Sequence, residues 1–313
     1  MSETKDMSAP ESESHTHLGT SMVTMGAVVV LVFAKTIAYV YSDSAAVLSS
    51  LIDSLTDVGL SLMTFFALRF SAKPADTNHR YGHGKIEGVS ALLQAGFLLG
   101  GATFLVFEAF DRLLNPVEMH GHIFAMTMLA LSAIVSLGVA WLQKRALKKE
   151  DSLALEADHA HYSTDVWINL VALVVVWVTY MGWAPVWVDT LAALGIAGLL
   201  GRASYGISHK AFGMLTDREM PQEIRSRIVE LAVCTEGVMG IHDLRTYQSG
   251  RVMFVSFDME VDPNLMLWSA HEIARAVEMN LISEFPNAEI LIHLDPAGDT
   301  DDTRHSSQKD PHT

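Results

Sequence analysis

Residues 50–59 read Ser-Leu-Ile-Asp-Ser-Leu-Thr-Asp-Val-Gly, and their two acids, Asp53 and Asp57, sit inside an apolar run that extends from about 45 to 69. Roughly 20 apolar residues in a helix cross a hydrocarbon core of about 30 Å. A charge near the centre of such a helix costs several kcal/mol even on lenient scales, so it asks for a function. The i, i+4 spacing puts both carboxylates on one helix face, about one turn apart. The stretch therefore predicts a membrane-spanning helix with a polar task.

Outward from it, apolar runs recur at about 20–42, 88–114, 122–143, 156–182 and 185–210, which makes six predicted spans. The whole chain of 313 residues is 50% hydrophobic and 18% charged, which excludes disorder and coiled coil. Its net charge of -15 argues against a nucleic-acid partner, which would need an excess of Lys and Arg. A single cysteine, Cys234, rules out an internal disulfide framework and a multi-thiolate zinc site.

The charge divides unevenly: -3 over residues 1–19, -2 over 20–216, -8 over 217–296 and -2 over 297–313. Four segments follow: a disordered cytoplasmic tail at 1–19, a six-helix transmembrane domain at 20–216, an acidic cytoplasmic domain at 217–296 and a disordered acidic tail at 297–313. Cytoplasmic loops retain Lys and Arg. The 2–3 loop and its flanks hold Arg69, Lys73, Arg80 and Lys85, and the 4–5 loop holds Lys144, Arg145, Lys148 and Lys149. Both loops are then cytoplasmic, and six spans leave both termini inside, as for a multi-pass protein of the cytoplasmic membrane.

In the acidic segment the periodicity changes. Residues 252–261 alternate, with Val255, Phe257, Met259 and Val261 on one face and Ser256, Asp258 and Glu260 on the other. Helices at about 221–234 and 266–284 and strands at about 241–246 and 288–294 complete an αββαβ order. The expected fold class is an α-helical membrane protein with a small C-terminal α+β domain, its helices on one face of a three-stranded sheet.

Span 5 repeats the acidic spacing of span 2, with His161 and Asp165 in His-Tyr-Ser-Thr-Asp. If the two faces meet, Asp53, Asp57, His161 and Asp165 offer three carboxylates and one imidazole, a four-coordinate shell suited to a zinc-like divalent cation. Without a metal the carboxylates repel one another and His161 takes up a proton, so metal and protons compete for one site.

These two pairs, the loop Pro-Ala-Asp-Thr-Asn-His-Arg-Tyr-Gly-His-Gly-Lys at 74–85 and the C-terminal α+β domain together resemble the cation diffusion facilitator family, and closely its bacterial zinc and ferrous-iron efflux members. The resemblance covers about residues 20–296. It implies a homodimeric, proton-coupled exporter, with Zn2+, Fe2+, Cd2+ or Co2+ as cargo and as regulatory ligand, and no prosthetic group. In the 2–3 loop Asp76, His79 and His83 can wrap one divalent ion, and they fall on the family's loop site. Lys85 resembles the family's interlock with an Asp below span 6, here Asp217. In the acidic domain His242, Asp258, His271, His293 and Asp295 match a metal-binding set that the dimer would gather into a bridged binuclear site. The departure is Asp258, where similar transporters often carry His.

Two other classes compete with transport. An intramembrane metalloenzyme finds little support, since the helix at His271-Glu272-Ile273-Ala274-Arg275 lacks the second His of a zinc protease. A membrane-bound metal sensor would need a receiver for its signal, and the chain holds no kinase, nucleotide-binding or DNA-reading motif. The absence of a glycine-rich phosphate loop also excludes ATP as the direct drive.

Overall fold

The computed structural model describes residues 19–114, 122–148, 152–183 and 187–298, apart from residues 27, 31, 34–35 and 38–44. It divides into two compact units, Met1–Phe212 and Gly213–Thr313. The expected tails lie outside the described residues except for Gly19, Ala297 and Gly298.

The first unit is helical. A short apolar helix α1 (Gly19–Val30) precedes α2 (Ala45–Ser71), α3 (Ile86–Leu114), α4 (His122–Leu147), α5 (Leu153–Tyr180) and α6 (Trp187–Leu215). Among the described residues, α3 to α6 are long and apolar enough to cross a membrane. Helix α2 has 27 residues, long enough to span, and carries Asp53 and Asp57 within its length. Of the first predicted span, residues 27, 31, 34–35 and 38–42 lie outside the described residues. Outward-facing aromatic and aliphatic side chains such as Phe104, Phe107, Ile134 and Trp167 are exposed, as a surface that meets lipid requires. Inside, Val28, Val139, Ala140 and Tyr162 are buried against Val58 and Val135, which joins α1, α2, α4 and α5 around one core.

Helix α5 begins three residues before its predicted start. Ser152 caps it, its hydroxyl accepting the Leu155 N–H at 3.3 Å. The first turn, Leu153-Ala154-Leu155-Glu156, consists of strong helix formers, so the helix starts directly at its cap, ahead of the predicted residue 156. His161 and Asp165 stand two to three turns inside α5.

The second unit holds α7 (Gln222–Val233), β1 (Gly240–Ser249), β2 (Val252–Val261), α8 (Leu267–Glu284) and β3 (Ala288–Pro296). Strand order is β1-β2-β3. The β1–β2 pair is antiparallel and closes tightly, with Ser249 opposite Val252 and Gly250 at φ 59° in the left-handed region. The parallel β2–β3 pair needs a crossover, which α8 supplies. Met253, Val255, Phe257, Met259 and Val261 turn inward and pack with Ile228 and Ala232 of α7 and Ala270, Val277 and Leu281 of α8. Both helices thus cover one face. The other face carries the polar residues of the strands, with Phe254 stacked on Tyr247 near the β1–β2 turn.

The β1 ladder carries one irregularity. His242 pairs with Asp258 and Arg245 with Ser256, so Asp243 and Leu244 together oppose Phe257 in a β-bulge. Asp243 adopts φ 51°, unusual for a non-glycine residue. The Arg245 guanidinium grips its carboxylate through two bonds of 3.2 and 2.6 Å.

Candidate metal centre

Three clusters of metal-ligating side chains stand out among the described residues, and in each the donor atoms lie within 4.8 Å of one another. The first joins α2 to α5. His161 Nε2 lies 3.1 Å from Asp57 Oδ1 and 3.4 Å from Asp165 Oδ2. The side chain of Asp53 lies outside the described residues; its backbone continues α2 one turn before Asp57. All three side chains of the cluster are partly buried. Both carboxylates address the same ring nitrogen. That nitrogen either carries a proton toward them or turns its lone pair to a metal, and it cannot do both.

Neighbouring polar groups hold the cluster in register. Ser61, one turn beyond Asp57, shares a hydrogen bond of 2.9 Å with the Tyr162 hydroxyl. Asp158, three residues before His161, is wholly buried and accepts the Gln143 amide at 2.6 Å. Sequence reading passed over both contacts. Gln143 falls at the edge of its predicted span, and the polar spacing Asp158-x-x-His161 is the only signal that pointed inward.

The second cluster is the 2–3 loop. Asp76 Oδ1 accepts the backbone N–H groups of Asn78 at 2.8 Å and His79 at 2.7 Å, and lies 3.2 Å from His79 Nδ1. Its Oδ2 lies 3.4 Å from His83 Nε2. The His79 and Asn78 amides hold the Asp76 carboxyl below the usual carboxylate range. Gly82 at φ 74° makes the turn that returns the chain to His83. Lys85 belongs to the first unit and Asp217 to the second, where it adopts φ 55°.

The third cluster lies on the polar face of the sheet. The ladder sets His242, Asp258 and His293 side by side, with Glu260 and Asp295 adjacent in the next polar row. His242 Nε2 is 3.5 Å from Asp295 Oδ2, and His293 Nε2 is 3.1 Å from Asp295 Oδ1. The two oxygens of one carboxylate thus reach two histidines. Asp258 Oδ2 lies 3.9 Å from His242 Nε2, and burial followed by the charge of Asp295 pushes its carboxyl above the usual range. Glu260, not singled out from sequence, lies 3.4 Å from His242 Nδ1. Its alternation with Asp258 along β2 was the available signal. His271 is not among the residues brought together within one chain: it stands exposed on α8, its ring 6.3 Å from that of Trp268.

Comparison with known proteins gives two family matches. Residues 21–216 match the "Cation efflux transmembrane domain" and residues 220–297 the "Cation efflux protein, cytoplasmic domain". A relative from Shewanella oneidensis described as "Cation-efflux pump FieF" is 37% identical over 276 residues, covering 88% of this chain and 93% of its own length. One of the same description from Escherichia coli K12 is 34% identical over 266 residues, covering 85% and 88%.

Proposed function

Because the chain belongs to the cation efflux family, the cation diffusion facilitators, we propose that it exports divalent metal from the cytoplasm in exchange for protons, with zinc the favoured cargo and Fe2+, Cd2+ or Co2+ the alternatives. Its chemistry is carriage across a membrane rather than catalysis. The observation that carries the exchange reading is the convergence of Asp57 and Asp165 on one nitrogen of His161, at 3.1 and 3.4 Å. Binding a metal there means displacing the proton from that nitrogen, and releasing the metal returns the site to protons. Asp53 supplies the fourth ligand. A mixed oxygen and nitrogen set of four suits tetrahedral zinc better than manganese.

The protein works as a homodimer in the cytoplasmic membrane with both termini inside, and uses no ATP. Asp76, His79 and His83 bind metal at the loop. His242, Asp258, His293 and Asp295, with His271, bind regulatory metal in the cytoplasmic domain.

Flux into proteoliposomes under an imposed pH gradient tests the exchange. Loss of an outer-shell partner typically lowers metal affinity or activity about 10- to 100-fold, so loss of a direct ligand in Asp57→Ala should lower zinc flux by at least about 100-fold. Unchanged flux, with its dependence on the pH gradient intact, would overturn the reading. Competition among zinc, iron(II), cadmium and cobalt in the same assay ranks the cargo.

A further inference from the structure

Glu87 opens α3 with its side chain only 1% exposed. Its two oxygens reach in different directions. Ser71, the last residue of α2, donates its hydroxyl to Oε1 at 2.9 Å. Ser152, the cap of α5, donates to Oε2 at 2.6 Å. One carboxylate therefore ties together the ends of three helices beside the basic 2–3 and 4–5 loops, the end read as cytoplasmic. Ala67, Leu68 and Ala154 seal the same level, packed against Ile86.

The tie continues toward the metal cluster. Two turns further along the same face of α3, Gln94 donates to the Thr64 hydroxyl of α2 at 3.1 Å and to the Ala154 carbonyl of α5 at 3.4 Å. The Ser61–Tyr162 bond comes next, and then Asp57 with His161. On the α2–α3–α5 side, the path from the loop end to the cluster is closed in tiers.

A buried carboxylate is an unusual choice for a permanent tie. It is strongly hydrated in water and can accept about four hydrogen bonds, whereas here each oxygen takes one neutral hydroxyl, aided by the N-terminus of α3. Opening the junction to water would give the carboxylate more donors than it loses. That near-balance is what a two-state element needs. Carriers that alternate access do so by moving groups of helices against one another around a fixed site.

We propose that Glu87 is the latch of the cytoplasmic gate: it holds α2, α3 and α5 closed over the metal cluster, and its release opens the cluster to metal arriving from the loop side. The direction of transport in this statement rests on the reading given under Proposed function. The latch itself is a property of the helix ends.

Two measurements test it. In the Cys234→Ser background, a cysteine introduced by Leu68→Cys sits in the seal and should react slowly with a membrane-impermeant maleimide applied to the loop side, with chelator present. Glu87→Ala, or Ser71→Ala combined with Ser152→Ala, should raise that rate about tenfold or more, and Glu87→Gln, which keeps an acceptor for one serine and offers an amide to the other, should restore most of the protection. In proteoliposomes carrying zinc, a weakened latch favours the open, binding-competent state, so KM for cytoplasmic zinc should fall about tenfold while maximal flux also falls about tenfold. A merely structural loss would lower maximal flux at unchanged KM. Unchanged labelling in both the Glu87→Ala and the double serine variant overturns the latch. Faster labelling in a protein whose wild type carries no zinc keeps the latch and overturns the transport reading.

Discussion

At the residue scale, the chemistry rests on single atoms that serve two ligands. His161 Nε2 faces both Asp57 and Asp165, and the spacing Asp53-x-x-x-Asp57 against His161-x-x-x-Asp165 made such a meeting legible from sequence, since each pair must share a helix face. What could not be read were the buried partners from other helices. Glu87 stands one residue before the predicted span at 88–114 and Gln143 closes that at 122–143, so neither drew notice as an acid or amide inside an apolar run. Burial of a polar side chain depends on which helix comes to cover it, and local hydropathy carries no record of that. Asp258 yields a pH prediction at this scale. Its carboxyl is raised by burial and by Asp295, so the folded state holds the proton more tightly than the unfolded chain. In chelator the cytoplasmic domain should gain stability from this group as the pH falls from above its raised folded value toward the ordinary carboxylate range. Asp258→Asn should flatten that dependence, as followed by chemical denaturation at a series of pH values. An identical slope in wild type and variant would remove Asp258 as its source.

At the element scale, the sheet and most helix starts were readable: α2 and α4 begin at the predicted residues 45 and 122, and only α5 begins as much as three residues away from its predicted start. The alternation from Val252 to Val261 fixes which face of β2 is buried, and the structure buries Val255, Phe257, Met259 and Val261. Helix α5 starts earlier than its predicted span because the Ser152 cap, rather than the polarity of Glu156, Asp158 and His159, sets its first residue. One connection depends on a backbone detail. Gly237, between α7 and β1, adopts φ 94°, and a Cβ there would lie 2.6 Å from Ile273 Cδ1 of α8. Gly237→Ala combines a strained backbone with overpacking, each of about 1–3 kcal/mol, and should cost about 2–6 kcal/mol in unfolding free energy of the domain. Adding Ile273→Val, which removes Cδ1 but keeps Cγ1 at 3.1 Å, should recover part of the packing cost and leave the conformational part.

At the scale of the whole molecule, an apolar chain with a net charge of -15 separates into a nearly neutral membrane unit, at -2, and an acidic domain that holds -8. In the proposed dimer two such domains repel until divalent metal neutralises the facing clusters. Paired fluorescent labels on the two copies should therefore report a shorter separation on zinc addition and a longer one on chelation. Raising salt from about 0.01 to 0.15 M shortens the Debye length from about 30 to 8 Å, and should bring the metal-free domains partly together. A separation insensitive to both would mean that the acidity has another purpose.

The bulge in β1 has a consequence for chain length. Asp243 is the extra residue of the ladder, since His242 opposite Asp258 and Arg245 opposite Ser256 would be joined without interruption by Leu244 alone. Deleting Asp243 returns β1 to continuous pairing with His242 still beside its metal-ligating neighbours. The strand can therefore gain or lose one residue at this point across homologues while the donors stay in place, and a gap in an alignment here would mark tolerance of an indel rather than loss of the site.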